Sequence, residues 1–317
     1  MQGSAKVSRS AEIPKRRISI IADMRKNYEL YLLSIPTFLF FVIFMYGPMY
    51  GVQIAFKDFI EVKGIVGSPW VGFEHFERFF KSYSFWTLIK NTLGISLYSL
   101  AVGFPAPIIL ALMLNEVRSR KFKKTIQMVT YAPHFISTVV LVGILVVFLS
   151  PQTGLINNAR AALGMERINF LAVPEYFKTI YVLSGLWQGI GWSSIIYIST
   201  LSGIDPQLHE AAIMDGANKF QRIWNIDIPG ILPTATILLI MNMGHIMSVG
   251  FEKIFLMQNS LNMQTSDVIS TYVYRMGLVS AEYSFSAAVG LFNSVVNMIL
   301  LIIVNTVTKW MGGNSLW

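Results

Sequence analysis

Apolar residues in this chain fall in long unbroken runs rather than in the one-sided stripes of a soluble fold. Hydrocarbon offers no hydrogen bonds and a bilayer core is about 30 Å thick, so runs of roughly 20 uncharged apolar residues predict spanning helices. Six runs qualify: Tyr31–Tyr50, Leu93–Leu114, Ile126–Leu149, Ile180–Leu201, Ile231–Gly250 and Phe285–Val307, and none contains Lys, Arg, Asp or Glu. The first begins near residue 30 and lacks a small-residue cleavage pattern, so it is expected to be a retained anchor and not a cleaved leader. The pattern predicts an all-α integral membrane protein with six transmembrane helices.

The connections set the orientation. Lys6, Arg9, Lys15, Arg16, Arg17, Arg25 and Lys26 crowd the N-terminal tail, and Arg118, Arg120, Lys121, Lys123, Lys124, Lys219, Arg222 and Lys309 fall on the same side of a six-span path. Excess Lys and Arg marks the cytoplasmic face, so the N and C termini are expected inside. The expected organisation is a basic tail over 1–29 and a six-helix body over 30–317. The outer connections, 51–92, 150–179 and 251–284, are caps too short for a separate soluble domain. Within the first, Phe73, Phe76, Phe79 and Phe80 form an aromatic stripe expected at the membrane interface.

Composition excludes other classes. With 54% hydrophobic and 13% charged residues, neither a soluble two-domain protein nor a disordered chain fits. The absence of cysteine removes thiol catalysis, disulfides and Cys-ligated metals. The net charge of +8 follows the inner-face bias and suits anionic membrane lipid, and without an aromatic and basic single-strand platform no nucleic-acid partner is expected.

The inner loop 202–229, between the fourth and fifth runs, has the grammar of two short helices. Asp205 can cap a helix starting at Pro206, and Gly216 can stop it in the left-handed conformation. Asn218 can cap a second helix from Lys219 to about Asp227, with Pro229 entering the next span. A helix outside the membrane with small residues between Glu210 and Asp215 suits docking into a groove on a partner.

Glu210-Ala211-Ala212, three residues, Gly216, nine residues, Ile226, Asp227 and Ile228-Pro229 resemble the Glu-Ala-Ala…Gly…Ile-x-Leu-Pro motif of permease subunits of binding-protein-dependent, ATP-binding-cassette importers. The one departure is Ile228 for Leu, a volume-conserving change. Gly72-Phe73-Glu74-His75-Phe76, Asn91-Thr92, Ala132-Pro133, Thr271-Tyr272-Val273-Tyr274-Arg275 and Gly312 to Trp317 resemble the sugar-importing branch, most of all subunits serving oligosaccharides and polysaccharides such as the uronate polymer alginate.

The resemblance implies a type I importer permease working by alternating access, with Glu210, Ala211, Ala212, Asp215, Gly216, Ile226 and Pro229 coupling it to an ATPase. It implies a second, related permease chain, two ATP-binding subunits holding ATP and Mg²⁺, and an extracytoplasmic solute-binding protein. It also gives a substrate-path role to polar and aromatic residues in the middle of the spans flanking the loop: Trp187, Gln188, Trp192, Asn242, His245 and Ser248. Packing or interhelical hydrogen bonding is the alternative role for each. His134, beside Pro133, is expected to bond backbone freed by the proline. An anionic substrate would find no Lys or Arg within the six runs.

No Gly-x4-Gly-Lys-Ser/Thr loop is present, so no ATP site and no cofactor are expected in this chain. His209-Glu210 starts like a zinc-protease motif, but Ile213 stands where the second histidine belongs, and no metal site is expected. The alternative reading is an ion-coupled secondary transporter. It calls for acidic residues within the spans and for inverted repeats, and neither is visible.

Overall fold

The computed structural model describes residues 24–310 together with Gly313, Ser315 and Leu316. Lys6, Arg9, Lys15, Arg16, Arg17, Gly312, Asn314 and Trp317 lie outside the described residues. By contacts the chain divides into Met1–Gln53 and Ile54–Trp317.

The first unit's described part is residues 24–27 and the start of α1 (Tyr28–Phe56), whose residues Tyr28–Tyr50 are all exposed. A helix apolar on every side and exposed on every side is made for lipid or for another apolar protein.

In the second unit the helices are α2 (Glu74–Lys81), α3 (Phe85–Glu116), α4 (Arg120–Phe135), α5 (Thr138–Leu149), α6 (Leu155–Ala162), α7 (Pro174–Ser202), α8 (Pro206–Met214), α9 (Lys219–Met243), α10 (Phe251–Met257), α11 (Ile269–Tyr274) and α12 (Tyr283–Trp310). Short pieces at Glu61–Lys63, Gly64–Gly67, Met263–Ser266 and Arg275–Val279 complete the helical part, and the described residues hold only an isolated β-bridge, Lys57 with Trp70, and no strand.

Of the six predicted runs, α1, α3, α9 and α12 are long and apolar enough to cross a membrane. The third run is not one straight span. It breaks into α4 and α5, bent by 102°, because Pro133 cannot continue the hydrogen-bond ladder and Ser137 caps a new helix through the Val140 N–H. The fourth run lies in α7, 29 residues long but more polar than the others. The fifth ends early, at Met243, and residues 244–247 form turns.

Three apolar clusters hold this unit. Phe79, Leu88, Tyr272 and Phe285 join α2, α3, α11 and α12; Ile95, Val142, Phe177 and Ile254 join α3, α5, α7 and α10; Ala111, Tyr197 and Ile231 join α3, α7 and α9. The long helices α3 and α7 therefore pass through the shared core.

The aromatic stripe is corrected by this packing. Phe79 is fully buried, with Phe85, Phe285 and Phe292 rings 5.1–6.4 Å away, while Phe73 and Phe80 stay exposed. The amphipathic α2 puts one face of the stripe into the core, so the stripe is a packing element as well as a surface one.

Buried asparagines fasten the connecting segments around Asn157 and Asn262. Asn157 donates to the carbonyls of Leu149, Ser150 and Ile168 and accepts the Ile168 N–H at 2.9 Å. Asn262 donates to Leu171 and Met257 carbonyls. A fully satisfied buried amide fixes irregular backbone that could not otherwise be desolvated.

Candidate functional site

The loop between α7 and α9 folds as its local residues dictate. Asp205 Oδ1 accepts the Gln207 N–H at 2.9 Å, with Pro206 in the first turn where a missing N–H costs nothing. At the other end Gly216 has φ +80°, and the Ala217 N–H reaches the Ala212 carbonyl while the Gly216 N–H reaches Ile213. These two bonds form a Schellman stop, which needs the left-handed residue that glycine supplies.

Asn218 and Gln221 then form a reciprocal capping box. The helix it opens runs unbroken past Pro229 to Met243, through a π-turn over Ile223–Asp227. Pro229 therefore does not separate a loop helix from a span. The wider turn loosens the regular ladder just before a residue that has no N–H to give.

Within this loop Glu210, Ala211, Asp215, Gly216 and Pro229 are exposed, and Ala212 and Ile226 are half-buried. Leu208, Ile213, Met214, Phe220 and Trp224 are exposed beside them, Met214 by 87% and Phe220 by 84%. Exposed apolar side chains close in sequence to Glu210, Asp215 and Lys219 suit docking against a partner.

The loop is held to the body by charge. His209 Nε2 lies 3.4 Å from Asp227 Oδ1, and Glu116 at the end of α3 lies 3.8 Å from Lys219 and 3.7 Å from Arg222. Asp227 is buried with His209 beside it, and among the described residues neither of its carboxylate oxygens has a hydrogen-bond partner.

The body contains two adjoining cavities, of about 470 and 370 Å³, which share Ser99, Tyr181 and Ser193 in their walls. Asn242, His245 and Ser248 line the larger and Gln188 the smaller. Four of the six substrate-path candidates are thereby brought together. Trp187 and Trp192 line neither. Trp192 stacks flat on His134 at 4.4 Å, and Gln188 Nε2 donates to the Ile136 carbonyl at 2.7 Å. The backbone freed at the bend is thus bonded by Gln188, while His134 packs against a ring. Asn242 donates to Leu238 within its own helix, and Ser248 Oγ accepts from Asn297 at 2.9 Å.

Sequence reasoning missed Lys253. It lies in α10, outside the apolar runs, yet it is only 9% exposed and lines the smaller cavity. The one available signal was a single cation, next to Glu252, in the otherwise apolar stretch Phe251 to Met257. Sequence reasoning also missed Asn297, whose Oδ1 accepts the Met247 N–H at 2.9 Å and orders the turns after α9. Among the described residues no three His, Asp or Glu side chains gather as a metal site.

Long apolar helices around polar cavities, with a capped helix presented on the surface, define a multi-pass membrane transport protein. The chain belongs to the family described as the binding-protein-dependent transport system inner membrane component, which it matches over residues 103–313. It is a permease subunit and not an enzyme; in this family the ATPase is a separate subunit.

Among similar proteins, Protein LplB of Bacillus subtilis (strain 168) is 43% identical over 94% of this chain and 96% of its own. The polygalacturonan/rhamnogalacturonan transport system permease protein YteP of the same strain is 42% identical over 96% of this chain and 94% of its own. A chain in the crystal structure of a bacterial alginate ABC transporter, in complex with an alginate pentasaccharide-bound periplasmic protein, superposes with a TM-score of 0.85 at 43% identity, covering 92% of this chain and 98% of that one.

Proposed function

We propose that this chain is one of two permease subunits of an ATP-driven importer that moves acidic oligo- and polysaccharides, of the alginate or polygalacturonan kind, across the bacterial cytoplasmic membrane. The basic tail and the permease body form six spans with both termini inside. A related second permease completes the pathway, two ATPase subunits hold ATP and Mg²⁺, and a solute-binding protein delivers substrate from outside.

The observation that carries this reading is the loop 202–229: a nine-residue helix capped at both ends, with an exposed apolar face and Glu210 at its edge. Such a rigid element can pass a rigid-body movement of a partner into α7 and α9, which flank the cavities. The partner shifts the equilibrium only by binding one state better. The names of the relatives, which carry polygalacturonan and alginate, support the substrate class.

The test is ATP hydrolysis by the reconstituted complex with its binding protein and uronate oligomers. Stimulated turnover in the wild type and its loss in an assembled Glu210→Ala complex are expected. Full stimulation in that variant would remove the coupling role, and uptake without ATP would favour the ion-coupled alternative. Because the chain has no cysteine, single introduced cysteines and a membrane-impermeant label read the topology directly. Labelling of a cysteine at Met214 only from outside would overturn the sidedness.

A further inference from the structure

Apart from His245, the two cavities are walled by hydroxyl, amide and apolar side chains, with no Asp or Glu in either lining and one ammonium, Lys253. Lys253 is nine-tenths buried, donates to the Tyr181 carbonyl at 2.8 Å and sits 4.6 Å from the Tyr181 ring centre. No carboxylate lies within ion-pair distance of it among the described residues.

Gly185 leaves room for this arrangement, since a Cβ there would lie 3.2 Å from Nζ. An ammonium has three donors, and the carbonyl uses one. Holding a cation without a carboxylate partner out of water costs several kcal/mol, of which one backbone bond and the Tyr181 ring face offset only part. The elements packed around it supply no compensating acid: Thr138–Leu149 has no titratable residue, and the facing group of α7 is Tyr181.

We propose that Lys253 receives a carboxylate of the acidic sugar chain as it passes through the cavity lined by α3, α7 and α10, so that the importer selects for charged substrate at this permease as well as at its binding protein. This inference rests on the importer reading above and names a residue for it. The hydroxyls of Ser99 and Ser193 and the amide of Gln188 line the same space and match the hydroxyls of a sugar. A cavity of about 370 Å³ is within the range of small-molecule sites. A charge-assisted bond is the strong kind, so losing it should cost about tenfold or more in uptake.

The experiment compares oligogalacturonate uptake by proteoliposomes holding the complete importer with wild type, Lys253→Met or Lys253→Arg. The expected result is a drop of about tenfold or more for Lys253→Met and recovery to within about threefold for Lys253→Arg. A second measurement on the wild-type complex needs no variant: acylation of Lys253 Nζ by a small activated ester, with loss of its alcohol and read by mass spectrometry, should slow with trigalacturonate and not with maltotriose. Equal uptake by wild type and Lys253→Met, or acylation indifferent to trigalacturonate, overturns the assignment and leaves the importer reading standing. A wild-type importer whose ATP hydrolysis responds to no saccharide overturns the importer reading itself.

Discussion

The Ile269 N–H donates to Thr92 Oγ1 at 3.1 Å, joining residues 177 positions apart in sequence. Next to it Asn91 Nδ2 donates to the carbonyls of Gln264 and Asp267, at 2.9 and 3.1 Å. Asp267 in turn pairs both carboxylate oxygens with Arg275, at 3.2 and 2.7 Å, and accepts from Thr271. Two stretches that resemble the sugar-importing branch, Asn91-Thr92 and Thr271 to Arg275, are thus two halves of one latch between α3 and α11.

The latch should be worth a measurable share of stability. Asn91→Ala leaves two carbonyls without their donor, and a buried unsatisfied group costs about 1–3 kcal/mol. The purified protein is expected to melt several degrees lower, with Thr92→Ser nearly neutral because the hydroxyl is kept. Unchanged melting of Asn91→Ala would mean that water or a rearranged side chain takes over.

Gly216→Ala tests the stop of the loop helix. Space around the position is open, so the cost comes from φ +80° alone, about 1–2 kcal/mol. Expected are normal assembly and reduced stimulated ATP hydrolysis, with stimulation per assembled complex as the readout. Wild-type stimulation would show that the turn tolerates a Cβ.

His209 and Asp227 should behave as a coupled pair. His209→Ala removes a neighbour of a buried carboxylate and is expected to destabilise; Asp227→Asn in that background should recover part of the loss, since the uncompensated charge is gone. A double-mutant cycle read by melting should give a coupling of about 0.5–3 kcal/mol, and additivity would show that the 3.4 Å approach carries no energy.

Burial pushes the Lys253 ammonium down from 10.5 to about 8. Because the folded value lies below the unfolded one, the fold bears the cost of the charge below about pH 8. Between about 8 and 10.5 the unfolded chain binds more protons, so stability from this group rises with pH. The melting-temperature advantage of Lys253→Met over wild type should therefore shrink between pH 7 and 10. A constant difference would mean that the ammonium keeps its ordinary value.

Legibility in the sequence followed the range of the interaction. The Asp205 cap, the Gly216 stop and the Asn218 cap could be read directly because a cap joins groups two to five residues apart, whereas the reciprocal bond from Gln221 appeared only in the structure. Gln188 bonding Ile136 across 52 residues, or Asn297 ordering Met247 across 50, left no such trace.

The sequence by itself determined that the chain is helical, where most long apolar helices run, and how the loop from Ser202 to Pro229 is capped, since hydrocarbon forces backbone bonds inside each segment and caps are local. Tertiary structure alone decided that the third run folds back at Pro133, that Phe79 is core and Phe73 surface, and that Lys253 reaches the cavity. The physical reason is that a helix apolar on all sides shows no face, so which neighbour it meets is set by packing and by hydrogen bonds between distant residues.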